Sequence, residues 1–204
     1  MSLKPILFNT EMVRSILDGR KTCARRAIKF PNGMTGRPVG KAGDSSNPLG
    51  IMYPGGIKRP PYQPGDILYV RETFIQAAAH TFWYKADDKS WMSKDLLWKP
   101  SIHMPKEAAR IWLKVTDVRV ERLQDITPQQ AENEGVGNLF YEDIGYSEKN
   151  YGTEVDKEYG IAREQFAWLW NSTIKKSDID RYGWDANPWV WVIEFERCAE
   201  LGKE

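Results

Sequence analysis

The sequence has little of what metal centres, disulfide scaffolds and membrane spans require. Its 204 residues include two cysteines, Cys23 and Cys198, and two histidines, His80 and His103. None of these residues has metal-ligand spacing, so we expect no metal site, and two distant cysteines do not make a disulfide framework. No run approaches the roughly 18 uncharged apolar residues of a membrane-spanning helix, and no signal-peptide core opens the chain. These absences predict a protein of a reducing cytoplasm without a membrane partner.

Motifs of cofactor binding and nucleophilic catalysis are also missing. The sequence contains no phosphate-binding P-loop, no Gly-rich dinucleotide turn and no G-x-S-x-G nucleophile elbow. We therefore expect no cofactor. A doubly wound parallel sheet is disfavoured as well, because helices and strands do not alternate along the chain.

Composition and charge indicate an ordinary globular protein with an uneven surface. Hydrophobic residues make up 41% and charged residues 28% of the chain, which predicts a single domain over residues 1–204. The net charge is +1, but residues 1–30 carry seven Lys/Arg against two acidic residues, and residues 121–160 carry ten Asp/Glu against three basic ones. This asymmetry predicts a positive face and an acidic lobe, whereas the balanced total argues against a general duplex-DNA coat.

Nine tryptophans are the main compositional peculiarity. Tryptophan packs the core and rim of compact β-rich domains, and it also provides stacking platforms for unpaired bases. The sequence alone leaves both roles open.

Hydrophobic periodicity predicts short strands and a few helices. Thr10 is the expected N-cap of a first helix that Gly19 ends, and Thr127 is the expected cap of a short helix that runs to Glu134. The predicted strands include parts of 4–8, 65–72, 82–84, 109–123 and 188–197, the first helix is expected near 10–18, and another helix is expected near 161–170.

Two segments read as irregular insertions, at about 31–64 and 137–160. The first holds seven glycines and seven prolines in 34 residues, a density of breakers that favours an irregular excursion. The second is acidic and rich in glycine and tyrosine. The expected fold class is α+β, a small mixed β-barrel with covering helices and these two insertions.

Several polar side chains are candidates for function. The run after the first helix contains five basic residues in ten, which either bind phosphates or form a solvated face. The adjacent Arg71 and Glu72 form either a structural ion pair or a catalytic dyad. His103 lies between two prolines, either at the surface or in a cleft. The candidate binding residues are Arg20, Lys21, Arg25, Arg26, Arg71, Glu72, Ser101 and His103, and the candidate catalytic residues are Lys21 and Glu134.

The order of several short motifs resembles the ASCH-domain family of the PUA-like superfamily. These motifs are Gly19-Arg20-Lys21-Thr22 after a short helix, Pro64-Gly65-Asp66 opening a strand, and a helix ending in Glu134-Gly135. The runs Tyr69-Val70-Arg71-Glu72 and Trp98-Lys99-Pro100-Ser101 and the Trp-rich closing strand resemble its phage and prophage branch. The resemblance implies a PUA-like barrel with a cleft beside it and a role connected with RNA.

The resemblance also implies a chemistry and a departure from it. Small bacterial members are amidohydrolases that deacetylate modified cytidine, and another member resembles a ribonuclease. Their active site combines the lysine of G-x-K-T, a threonine three residues later and a glutamate, which correspond here to Lys21, Ala24 and Glu134. Alanine has no nucleophilic oxygen, so Cys23, Thr22 or a water activated by Glu134 would have to replace the threonine.

Three functions follow as alternatives. The first is an RNA- or nucleotide-binding protein with a basic cleft, the second a hydrolase of modified nucleosides or a ribonuclease, and the third a phage protein with a ligand that is not a nucleic acid. Ala24 favours binding over amide hydrolysis. We expect Lys21, Arg25 or Arg26 and Arg71 to line one positive groove beside Glu72 or Glu134, with the 31–64 loop at its mouth.

Overall fold

The fold is known from a computed structural model of the 204-residue chain. The structure describes residues 2–31, 34–39, 50–87, 96–136 and 154–199. Within these ranges it forms ten strands and four α-helices, so the predicted α+β class is confirmed.

The strands and helices have the following bounds along the chain. The strands are β1 Leu3–Leu7, β2 Cys23–Ala27, β3 Arg37–Val39, β4 Gly50–Tyr53, β5 Gly56–Lys58, β6 Ile67–Arg71, β7 Phe74–Ala78, β8 Thr81–Tyr84, β9 Trp112–Arg122 and β10 Trp189–Cys198. The helices are α1 Thr10–Leu17, α2 Pro128–Asn133, α3 Glu154–Thr173 and α4 Ile179–Tyr182.

The main sheet has five strands in the order β1-β6-β9-β10-β2. A three-stranded sheet β3-β4-β5 and a hairpin β7-β8 stand apart from it. Among the described residues this order does not close on itself, so the structure shows a mixed open sheet and no closed barrel.

The chain divides into two compact units. Unit 1 comprises Met1–Gly19, Tyr62–Thr116 and Phe195–Glu204, and unit 2 comprises Arg20–Pro61 and Asp117–Glu194. The single domain expected from the sequence stays a prediction.

In unit 1, β1 pairs in parallel with β6, which pairs antiparallel with the start of β9. Gly65 has a left-handed φ of +86°, which a glycine adopts without strain, and it turns the chain into β6. Asp66 then accepts hydrogen bonds from the Lys4 ammonium at 2.7 Å and from the Gln63 amide at 3.0 Å. The P-G-D motif therefore ties the start of β6 to β1.

In unit 2, β2 pairs antiparallel with β10 from Cys23 opposite Glu194 to Ala27 opposite Val190. The buried side chains of this unit include members of β2, β4, β10, α2 and α3, among them Phe166 and Trp170. The sheet position of β2 decides which of its basic side chains are covered, because successive residues of a strand point to opposite faces.

The cap of α1 differs from the expectation. Asn9, and not Thr10, is the N-cap, because its extended backbone lets its side-chain oxygen accept from the Met12 amide at 2.9 Å. Thr127 does cap α2, in a capping box with Gln130, and Glu134 is the C-cap.

The expected irregular excursion over 31–64 is wrong for residues 37–39 and for most of 50–58. Strands β3, β4 and β5 form a small antiparallel sheet there, in which the two-residue turn Pro54-Gly55 joins β4 to β5. Residues 40–49 of this segment and residues 137–153 of the second insertion lie outside the described ranges, and 154–160 belong to α3. In the part of the chain that the structure describes, no helix is long and apolar enough to cross a membrane.

Candidate functional site

A buried cluster of charged side chains lies in unit 2 where β2 meets α2. The helix α2 ends at Glu134, and Gly135 with a φ of +91° reverses the chain in a conformation that favours glycine. The Thr22 amide donates to the Asn133 carbonyl at 2.9 Å, which fixes the segment before β2 against the end of α2. This backbone contact brings the G-x-K-T motif next to Glu134.

Lys21 and Glu134 are in direct contact. The Lys21 ammonium donates to the Glu134 carboxylate at 2.6 Å and to the Glu134 carbonyl at 3.0 Å. The Lys21 side chain has no exposed surface and that of Glu134 has 4%. The sequence resemblance assigns these two positions to one site, and the structure brings them together.

Arg25 completes the charge balance of the cluster. Its guanidinium donates to Glu134 at 3.1 Å, to Glu121 at 3.2 Å and to the Gln130 side chain at 3.0 Å. It also lies over the Phe166 ring of α3 at 5.7 Å. Two buried cations therefore face two carboxylates, which is the condition under which buried charges are tolerated.

The ionisation of Glu134 reflects these neighbours. Burial by itself raises the pKa of a carboxyl group, but the charges of Lys21 and Arg25 and their hydrogen bonds outweigh it and hold the pKa of Glu134 below its ordinary value. Glu134 is therefore an ionised partner of the two cations at neutral pH.

Cys23 shares this environment. Its thiol is buried and lies 3.9 Å from the Arg25 guanidinium. Burial and then the charge of Glu134 raise the pKa of the Cys23 thiol. The thiolate, which is the nucleophilic form, is therefore disfavoured.

Ala24 is buried in the β2–β10 ladder opposite Ile193. Strand alternation places it on the other face of β2 from Cys23 and Arg25. Strand β2 therefore provides no side-chain hydroxyl beside the Lys21–Glu134 pair.

The two remaining basic candidates of unit 2 are less buried. Arg20 donates to the Gly135 carbonyl at 3.0 Å, and Arg26 donates to the Arg25 carbonyl at 3.3 Å. Both side chains are partly exposed, so this portion of the basic run reaches solvent while Lys21 and Arg25 do not.

The other candidates lie in unit 1, and Arg71 and Glu72 contact the segment that contains Ser101 and His103. Ser101 and His103 flank Ile102 in a single 3₁₀ turn, and the Arg71 guanidinium donates to the Ile102 carbonyl. The Glu72 amide donates to the Met104 sulfur at 3.1 Å. A groove that contains Arg71 together with the basic run stays a prediction.

The expected pairing of Arg71 with Glu72 is wrong. Glu72 is buried and pairs in a bidentate geometry with Arg110, at 2.9 and 3.0 Å. The Arg110 guanidinium lies 3.9 Å from the Tyr84 ring centre and also contacts Asp87. Neighbouring residues of an extended chain point apart, so Glu72 needs a partner from another segment.

Sequence reasoning missed several members of these clusters. Gln130 could have been found, because Thr127 and Gln130 match the T-x-x-Q pattern of a capping box. Nothing in the local sequence marks Arg110, Glu121, the partly buried Lys58 or the exposed Arg59 as members of a site.

The comparisons with known proteins add no relative. Neither the family models, nor the curated proteins, nor the solved structures contain a match to this chain. The site is therefore interpreted from its own geometry.

Proposed function

We propose that the chain is an ASCH-domain protein of the PUA-like superfamily that binds RNA or a nucleotide. The observation that carries the proposal is the contact of Lys21 with Glu134 at 2.6 Å. The two residues are far apart in sequence, and each occupies a position that the resemblance assigns to the same site. In this proposal, the five-stranded sheet supplies the strands of a PUA-like barrel of the phage and prophage branch.

The division of the basic run into covered and exposed side chains supports binding. Lys21 and Arg25 form buried ion pairs with Glu134 and Glu121. Their role in this proposal is to stabilise the fold at the start of the basic run. Arg26 and Lys29 reach solvent, where cations contact phosphates. A near-neutral protein with such a local positive surface binds through a limited number of phosphate contacts.

The test of binding is a salt titration with the full chain. Fluorescence anisotropy of a labelled single-stranded RNA should show an affinity that falls with salt, with a slope of roughly −0.7 per phosphate neutralised. In a thermal-shift screen with nucleotides and short RNAs, specific ligands should raise the melting temperature of the protein by mass action. Absence of both effects at low salt would refute the proposed function.

Hydrolysis of a modified nucleoside is the second candidate, and the Lys21–Glu134 contact also favours it. Against it stand Ala24 at the nucleophile position and the Lys21 side chain, which has no exposed surface for a substrate to reach. Cys23 lies in the right cluster but as a buried thiol. We therefore expect no measurable deacetylation of acetylated cytidine by the native chain.

A deacetylation assay with the native chain and Ala24→Thr separates the candidates. Turnover by the native chain would establish the hydrolase. Turnover by Ala24→Thr alone would show that the alanine removed an activity for which the rest of the site is complete. No turnover by either protein would argue against the amidohydrolase, and the salt titration then decides on binding.

A further inference from the structure

A groove in unit 2 carries a concentration of positive charge outside the Lys21–Glu134 cluster. Its volume is about 400 Å³, and four of its lining side chains are cationic: Arg26, Lys29, Lys58 and Arg59. Arg26 reaches it from the face of β2 opposite to Cys23 and Arg25, as strand alternation requires. The groove therefore takes its β2 cation from the face opposite to the buried Arg25.

Two separate segments supply the cations. Arg26 and Lys29 come from the end of β2 and the residues after it, and Lys58 and Arg59 come from the end of β5. The Lys58 ammonium donates to the Lys29 carbonyl, which links the two sides. The strand β5 belongs to the first insertion, so this insertion supplies two of the four cations.

The lysine from β5 is held by aromatic side chains. The Lys58 ammonium lies 5.8 Å from the ring centre of Phe30 and 5.9 Å from that of Tyr53. Rings at this distance attract a cation and restrict its position without neutralising its charge. Lys58 is thus positioned at the groove and still available to attract an anion.

Three of the groove cations have little or no compensation from carboxylates among the described residues. Lys29 pairs with Asp178 at 3.2 Å, but 63% of its side chain is exposed, which makes this a weak surface pair. In the described ranges neither Lys58 nor Arg59 takes part in an ion pair. These two side chains therefore offer positive charge to a ligand.

The groove also has an apolar part. Trp191 and Pro61 line it, and Trp191 lies directly opposite Arg26 in the β2–β10 ladder. Cations beside an apolar surface suit a nucleotide, whose phosphates are charged and whose base has apolar faces. A duplex keeps these faces stacked inside the helix, so an unpaired strand uses such a surface better.

We propose that this groove binds single-stranded nucleic acid, with Arg26, Lys29, Lys58 and Arg59 contacting the backbone phosphates and the apolar part contacting an unpaired base. The proposal rests on the proposed function, for which it names the strand type and the binding surface. The volume of the groove lies within the range of about 300–1,000 Å³ that is usual for small-ligand sites, so one or a few nucleotides occupy it.

The test is a salt titration of oligonucleotide affinity with the native chain and the double variant Lys58→Ala/Arg59→Ala. If each of the two cations neutralises one phosphate, the slope of log K against log salt should become shallower by about 1.4 in the variant. The matched control is Lys114→Ala/Arg197→Ala, which removes the same two charges from exposed positions of unit 1. Its slope should equal that of the native chain.

The outcomes separate the two proposals. If the native chain binds no oligonucleotide, the groove proposal fails, and if it is not stabilised by nucleotides either, the proposed function fails with it. If the native chain binds and Lys58→Ala/Arg59→Ala keeps the native slope, or the control loses as much, only the groove proposal is overturned.

The choice of probe tests the strand type. Single-stranded RNA and single-stranded DNA of the same sequence, a duplex and a mononucleotide are compared at one salt concentration. The proposal is supported if the native chain binds the single strands more tightly than the duplex and if Lys58→Ala/Arg59→Ala loses this preference. The comparison of the two single strands shows whether RNA or DNA is the preferred ligand. Equal or tighter binding of the duplex, or full affinity for the mononucleotide alone, would overturn it.

Discussion

The Lys21 ammonium and the Glu134 carboxylate lie 2.6 Å apart, although 113 residues separate them in the chain. Arg25 contacts the other carboxylate oxygen of Glu134, so one buried anion holds two buried cations. The pair joins the start of β2 to the end of α2. Its removal should therefore affect the stability of unit 2 as a whole.

Glu134→Gln should destabilise the protein more than Lys21→Met. The first variant leaves Lys21 and Arg25 buried without their shared carboxylate, at a cost of about 3–5 kcal/mol. The second leaves Glu134 with Arg25 and should cost less. Urea unfolding of the native chain and the two variants measures these losses of stability. An equal loss in both variants, or a larger loss in Lys21→Met, would show that Lys21 and Arg25 do not depend on Glu134 as a shared anion.

The Glu134 contribution also depends on pH. Its folded pKa lies below the ordinary value of 4.5, so the stability that it provides is present above pH 4.5 and is lost as the pH falls through the folded pKa. Glu134→Gln should therefore lose less stability than the native chain on acidification from pH 5. Thermal unfolding at a series of pH values checks this, and parallel curves would contradict it.

Asp66 should contribute a second acid-sensitive component, in unit 1. Burial raises the pKa of this carboxyl group, but hydrogen bonds from Lys4, Ser2 and Gln63 outweigh it and lower the pKa from 3.8 to about 2. The stability is present above pH 3.8 and is lost between pH 3.8 and about 2. Asp66→Asn should cost about 1–2 kcal/mol at neutral pH and less at pH 2, measured by denaturant unfolding. A cost that does not change with pH would assign the effect to packing.

Arg110 rather than Arg71 should be the residue on which Glu72 depends. Arg110→Ala leaves the buried Glu72 carboxylate without its bidentate partner and should destabilise the protein by about 3–5 kcal/mol. Arg110→Lys should rescue this only in part, because lysine cannot reproduce the bidentate geometry or the stacking on Tyr84.

Arg71→Ala is the matched control for this prediction. It removes an arginine of the same strand region that donates to a backbone carbonyl and not to Glu72. We expect a smaller loss of stability, measured by the same urea unfolding. A loss as large as that of Arg110→Ala would contradict the assignment.

Cys23 should be protected from alkylation in the folded protein. It is 3% exposed and its raised pKa disfavours the thiolate, whereas Cys198 is partly exposed. Iodoacetamide treatment followed by mass spectrometry should modify Cys198 first and Cys23 only after unfolding in urea. Rapid modification of Cys23 in the native state would show that the Lys21–Glu134 cluster opens to solvent.

The local elements of this protein were determined by its sequence. The Thr127 cap, Gly135 after α2, and the apolar runs of β1, β6, β9 and β10 depend on residues within a few positions of one another, so periodicity and cap chemistry predict them. The pairing of Lys21 with Glu134 was foreseen through the resemblance, which supplied a relation that periodicity does not contain.

The tertiary structure decided the partners and the burial. Whether Arg25 is covered and Arg26 exposed depends on which face of β2 meets α2 and α3, and the sequence of β2 is equally basic on both faces. Glu72 pairs with Arg110 and not with the adjacent Arg71, because neighbouring side chains of an extended chain point in different directions. The groove brings together Arg26 and Arg59, which are 33 positions apart. Arg59 follows β5, and the density of glycine and proline around it did not predict the sheet β3-β4-β5. Such pairings depend on the packing of distant segments, and no local pattern of residues specifies them.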